Sequence, residues 1–117
     1  MRVIAKAAVA DAIEKHAQWK EPLSLWLATF DRASLRFTSF TDLRKTWLTA
    51  SGWNVDRVSS SKLKGASVKG PLDMYIFDIK QNECRVLAWI STHVGTIYIK
   101  DILSHADYDK WCKSDVK

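Results

Sequence analysis

Residues 72–104, LDMYIFDIKQNECRVLAWISTHVGTIYIKDILS, decide the fold. Three runs rich in β-branched and aromatic residues, Leu72–Ile79, Cys84–Ile90 and Thr96–Ile102, are separated by short polar turns. That pattern predicts two consecutive hairpins and therefore an antiparallel meander. If Gln81-Asn82 is a two-residue turn, Asp78 faces Arg85, Ile76 faces Leu87 and Met74 faces Trp89. The other face then carries Tyr75, Phe77, Ile79, Cys84, Val86 and Ala88, the better core, which helices are expected to cover. If the second hairpin turns through Thr92-His93-Val94-Gly95, Trp89 faces Tyr98 and Leu87 faces Lys100. Arg85, Trp89, Tyr98 and Lys100 then share the remaining face, two cations interleaved with two rings. Cations suit phosphate and rings suit base stacking, so that wall is expected to meet RNA. The assignment depends on both turns, because a slip of one residue moves every side chain to the opposite face.

The flanks predict helices. Residues 3–18 carry Ala5, Val9, Ala12, Ile13, His16 and Ala17 at helical spacing. Pro22 fits the first turn of a second helix, in which Leu23, Trp26, Leu27 and Phe30 form an i, i+3, i+4, i+7 stripe. A third helix is expected from near Thr41, burying Leu43, Trp47 and Leu48 and stopping at Gly52. A strand is expected over 53–58. The chain closes with a helix from His105 to about Lys113, capped by Ser104. The fold class is therefore α+β: N-terminal helices packed on an antiparallel sheet of three to four strands, with a short C-terminal helix.

The chain has 117 residues and 47% hydrophobic side chains, which suits one domain over 1–117. No apolar run approaches the ~18 residues of a membrane span. Lys6 and Asp11 interrupt the N-terminal segment before a secretory h-region forms, so a cytoplasmic location and no membrane partner are expected. Two cysteines, Cys84 and Cys112, make no disulfide scaffold, and neither they nor the three histidines have metal-binding spacing. No metal and no cofactor are expected.

The net charge of +5 is uneven. Residues 32–69 carry eight basic side chains against Asp42 and Asp56, while both flanks are nearly neutral. A local positive field favours a polyanion, although a solvated basic loop kept for solubility fits charge alone equally well. Within this third, Arg44, Lys45, Arg57, Lys62 and Lys64 are expected to grip RNA backbone diffusely. SSSKLKGASVKGP at 59–71 reads as an exposed, mobile basic loop.

The run IFDI at 76–79, NECRVL at 82–87, IYIK at 97–100 and SHADYD at 104–109 resembles the HigB-type toxins of bacterial toxin–antitoxin pairs, which are similar in fold to RelE. EKH at 14–16 and SFTDLR at 39–44 are compatible with that family. Here Lys100 stands where the family usually has Arg, Asp107 for Glu, Ser104 for Thr and Asp78 for Asn. Lys keeps the charge of Arg but loses its bidentate fork. The resemblance implies an mRNA interferase of RelE-like fold, an endoribonuclease acting on mRNA at the ribosome. It also implies a helix-turn-helix antitoxin of HigA type, which supplies contact with operator DNA.

Cleavage of RNA by its own 2′-hydroxyl requires backbone alignment, proton transfer and stabilisation of the phosphorane charge. Arg85 is the candidate for charge stabilisation, against a simple cross-strand ion pair with Asp78. Lys100 adds potential or serves as a base, against an exposed strand lysine. His105 is the candidate general acid or base, against a structural histidine, with Asp109 one turn away to orient it. Tyr108 positions phosphate or stacks on a base, against packing under the helix. Trp89 and Tyr98 are candidate stacking rings, against burial. The alternatives to a nuclease are a non-catalytic toxin on the same scaffold, such as a ParE-like gyrase inhibitor, or an inactive RNA- or antitoxin-binding module.

Overall fold

Val3 and Ile4, the first residues of the span expected to be helical, form a strand with Arg2 instead. The structure, a computed structural model, describes residues 1–117. Strand β1 (Arg2–Ile4) lies parallel to β5 (Thr96–Ser104), with Val3 beside Ile97 and Ile4 beside Tyr98. Two β-branched residues next to an unpaired sheet edge outweigh the helical spacing that continues from Val9. Ala5 takes a left-handed conformation, φ 69°, which ends the strand and turns the chain into α1 (Ala7–Lys15).

A single 3₁₀ turn at Ala17–Trp19 leads into α2 (Lys20–Phe30), and α3 (Phe40–Ser51) follows. Ser39 caps α3 by accepting from the Asp42 N–H, and Gly52 ends it at φ 83°, a conformation that only glycine adopts without strain. Strands β2 (Val55–Val58), β3 (Met74–Ile79) and β4 (Cys84–Ser91) precede β5, and α4 (His105–Asp115) closes the fold. The sheet order is β1-β5-β4-β3-β2. It has five strands and one parallel pair, rather than three or four purely antiparallel strands. The α+β class stands as expected.

Helices α1 to α3 cover the inner face. Leu23, Trp26, Phe30, Trp47, Phe77 and Ile79 are fully buried there, each worth about 1.5–3 kcal/mol of transfer free energy. Phe77 is the hub, with ring centroids 5.3 Å from Trp26 and 5.0 Å from Phe30 in edge-on geometry. Trp47 Nε1 donates to the Asp78 carbonyl at 2.9 Å and ties α3 to β3. Leu48, expected in this core, is 50% exposed, because it points about 100° away from Trp47 around the helix.

The first hairpin has the expected register: Asp78 pairs with Arg85, Ile76 with Leu87 and Met74 with Trp89. The second agrees only at its tip. Trp89 pairs with Tyr98, but a β-bulge between Leu87 and Ala88 sets Ala88 opposite Ile99 and Leu87 opposite Asp101. Lys100 is the extra residue, so it does not face Leu87, and Arg85 pairs with Leu103.

The 59–71 segment is not a free loop. Its two 3₁₀ turns, Ser60–Lys62 and Gly65–Ser67, bury Leu63 and Ser67 against the outer face of the sheet. Ser60 N–H donates to Asp73, Lys64 N–H to the Asp115 carbonyl, and Lys117 N–H to the Lys62 carbonyl. Helix α4 shares that face. Trp111 packs with Leu63, Met74, Ile76, Leu87 and Trp89 in a second core of six buried residues.

Candidate functional site

The register puts Arg85, Trp89 and Tyr98 on the outer face, as expected, and Lys100, at the bulge, lies on the same side, where its charge acts on Asp115 of α4. They do not form an open wall, because α4 and the 65–67 turn roof its middle. Trp89 is 9% exposed and donates from Nε1 to the Ser67 carbonyl at 3.0 Å. It packs the second core and offers no stacking surface to a base.

Arg85 is 7% exposed. Nη1 donates to the Gln81 and Cys84 carbonyls, both at 3.1 Å, and Nη2 donates to Asn82 Oδ1 at 3.0 Å. Nε lies 3.0 Å from Asp78 Oδ1, an ionic contact whose angle makes no hydrogen bond. A guanidinium has five N–H groups, so little is left for a phosphate. The Arg85–Asp78 pair is thus the cross-strand arrangement, and it is buried rather than exposed. Burial holds the Asp78 carboxyl above the usual range despite the pull of Arg85, and Asp56 adds to the rise.

The Arg85 guanidinium also sits 5.2 Å from the centroid of the Tyr108 ring, which stacks on Trp111. Burial, then a bond with Cys112, raises the Tyr108 phenol well above its ordinary value, so it stays a neutral hydroxyl at physiological pH. One turn earlier, His105 is exposed at the start of α4, its Nε2 3.6 Å from Asp109 Oδ2. Ser104 accepts from the Asp107 N–H and caps the helix. Cys84, the first residue of β4, points into the main core with its thiol pushed up to about 12 by burial, which leaves it without nucleophilic character.

An open strip remains along β5 and β1. Tyr98 is half-buried, with the Lys69 ammonium 4.9 Å from its ring centroid. Ile4 pairs with Tyr98, and Arg2 lies two residues along the same face of the edge strand. Lys100 follows Tyr98 at the bulge. Ser114, then Ser67, hydrogen-bond the Asp115 carboxylate and keep it below its ordinary range, helped by the charges of Lys100 and Lys64. Lys62, on the same segment as Lys64, completes this cationic border.

The rest of the expected basic grip is elsewhere. Arg44 donates from Nε to Asn54 Oδ1 at 2.6 Å. Arg57 lies over the Phe40 ring at 5.0 Å and 4.0 Å from Asp73. Lys45 lines a groove between α2 and α3, across the sheet from Lys100. The fold divides the basic middle third between two faces. Sequence reasoning missed Arg2, because the N-terminus read as helix, and counted Lys69 only in a charge tally. No three His, Cys, Asp or Glu side chains come together as metal ligands would.

Helices on one face of a five-stranded mixed sheet, and one C-terminal helix on the other, are the layers of a RelE-like α+β fold. Residues 54–111, about half of the chain, match the family model HigB_toxin, described as the RelE-like toxic component of a toxin-antitoxin system. The chain belongs to this toxin family, and the matched span runs from just before β2 to Trp111 of α4. No curated protein matches the sequence significantly. No helix is long and apolar enough to cross a membrane.

Proposed function

We propose that this toxin is an endoribonuclease that cuts mRNA at the ribosome and is neutralised by a helix-turn-helix antitoxin of HigA type, through which alone it meets operator DNA. The observation that carries the reading is the strip Arg2, Lys69, Tyr98 and Lys100, which leads down β5 to His105 at the head of α4. At about 3.3 Å per residue, Lys100 and His105 are roughly 16 Å apart. Lys100 therefore holds a flanking phosphate, Tyr98 stacks on a base, and Lys62, Lys64 and Lys69 track the backbone.

The scissile phosphate belongs at His105, where the first-turn N–H groups and the positive end of α4 favour an anion. The 2′-oxygen forms the new bond to phosphorus as the bond to the 5′-oxygen breaks. The imidazole takes the 2′-hydroxyl proton, and solvent water at this exposed site protonates the departing 5′-oxygen. The products are a 2′,3′-cyclic phosphate and a 5′-hydroxyl. Asp109, 3.6 Å from Nε2, orients the ring. Arg85 is a positioning residue, because it holds Tyr108 and the first turn of α4 against the sheet.

The test is inducible expression in growing cells with mapping of mRNA 5′ ends. Codon-phased cuts are expected, and His105→Ala is expected to reduce them by about a hundredfold or more with the melting curve unchanged. Cutting by His105→Ala at the parental rate, or intact transcripts beside broken DNA, would overturn the proposal.

A further inference from the structure

On the sheet face opposite the proposed RNA strip, α2 and α3 leave a groove between them whose floor holds small and aliphatic side chains and whose edges hold charged ones. On α2, Leu25, Ala28 and Thr29 fall at i, i+3 and i+4 and line an outer groove, and Arg32, two residues past the helix end, closes that line. On α3, Asp42, Lys45, Thr46 and Thr49 repeat the same spacing. The two stripes border one open groove of about 600 Å³. Its polar side chains are already satisfied in part: Thr29 Oγ1 donates to the Leu25 carbonyl at 2.7 Å and Thr46 Oγ1 to the Asp42 carbonyl at 2.9 Å. Both hydroxyls are held by their own helix, and the floor presents mainly carbon. Leu25, 37% exposed, also lines a neighbouring groove with Pro22 and Trp53, so it joins the two grooves along α2.

The border of the joined grooves is cationic. Lys20, Arg32, Lys45 and Lys80 stand against Glu21 and Asp42. Small floor residues admit a helix closely, and an excess of positive charge selects its flanks. We propose that this groove docks an amphipathic helix of the antitoxin, about three turns long, with aliphatic side chains at i, i+3 or i+4 and i+7 and acidic residues on both borders. The proposal rests on the antitoxin partner that the toxin family implies, not on the nuclease reading. A helix seated here leaves Tyr98 and Lys100 uncovered, since they lie across the sheet.

The experiment measures binding of the purified toxin to the antitoxin encoded beside it, together with growth arrest by toxin alone. Leu25→Glu puts a charge into the apolar floor and is expected to weaken binding by about thirtyfold or more. It is also expected to abolish rescue by antitoxin while arrest by the toxin alone and the melting temperature stay unchanged. The double variant Arg32→Glu, Lys45→Glu should weaken binding at low salt and flatten its salt dependence. Val68→Glu, exposed on the segment that packs on the opposite side of the sheet, is the control and should bind as the parent does. Parental affinity in Leu25→Glu would overturn the proposal. So would loss of arrest by Leu25→Glu alone, which would assign the groove to the cellular target, or an isolated toxin dimer that Leu25→Glu dissociates, which would assign it to a second copy. Failure of the nuclease reading appears separately, as uncut mRNA under parental toxin.

Discussion

Ser67→Ala should loosen the roof over the outer face. Ser67 is fully buried and accepts from Trp111 Nε1 at 2.8 Å while its hydroxyl donates to Asp115 Oδ2 at 2.6 Å. Removing Oγ leaves the indole N–H of a 7%-exposed tryptophan with no acceptor. That costs about 1–3 kcal/mol, and the lost bond to the half-buried Asp115 adds a smaller amount, for a total of about 2–3 kcal/mol. Urea unfolding followed by tryptophan fluorescence would read this as a midpoint lowered by roughly 1–2 M, taking a slope of about 1.5–2 kcal/mol per molar for a chain of this size. A second mutation tests the cause. In Trp111→Phe the donor is already gone, so adding Ser67→Ala should cost only about 1 kcal/mol, which leaves a coupling of about 1–2 kcal/mol between the two positions. Equal costs in both backgrounds would refute the assignment of the penalty to an unsatisfied indole.

Phe77→Ala should destabilise by about 3–5 kcal/mol, since it empties the centre of the ring cluster formed with Trp26 and Phe30; thermal unfolding would measure it. Gly95→Ala should cost about 1–2 kcal/mol in the same assay, because φ is 74° at that residue and a Cβ would stand 3.0 Å from Arg36 Cζ. Asp31 accepts from the Val3 N–H at 3.1 Å and from Lys6 at 2.9 Å, and these bonds, the backbone one first, hold its carboxyl below the ordinary value. A depressed folded-state pKa gives stability that is complete above the unfolded value of about 4 and lost as pH falls through the folded one. Asp31→Asn should therefore be less stable than the parent at neutral pH, and the gap should close on acidification; a gap that stays constant in urea titrations down that range would contradict the linkage.

Much of the sheet was legible because its strands alternate cleanly. The pairs Asp78–Arg85, Met74–Trp89 and Trp89–Tyr98 follow from turn position and period alone. The bulge was hidden by its composition, since Lys100 is neither glycine nor proline. Its trace is a break in phase: Ile97 and Ile99 sit two apart on the inner face, and the next inner side chain, Ile102, comes three later. The roof was missed for a different reason. Leu63 and Ser67 are isolated in a polar segment, and only tertiary packing makes them interior. The run Tyr108, Trp111, Cys112 and Val116 at i, i+3, i+4 and i+8 was the available sign that α4 needed a surface to cover. Counting charge by segment failed for the basic third because neighbours in sequence, such as Lys45 and Lys62, end on opposite sides of the sheet.

The pairing of β1 with β5 has a kinetic consequence. Arg2 meets Thr96, more than ninety positions later, and Ile4 meets Tyr98. Closing so long a segment is entropically costly, and contacts of that separation form late. During synthesis the edge that carries Arg2 stays unpaired until the ribosome has made nearly the whole chain. On the nuclease reading proposed above, the edge carrying Arg2 is thus completed only when synthesis of the chain is almost over, which spares the message being translated until then.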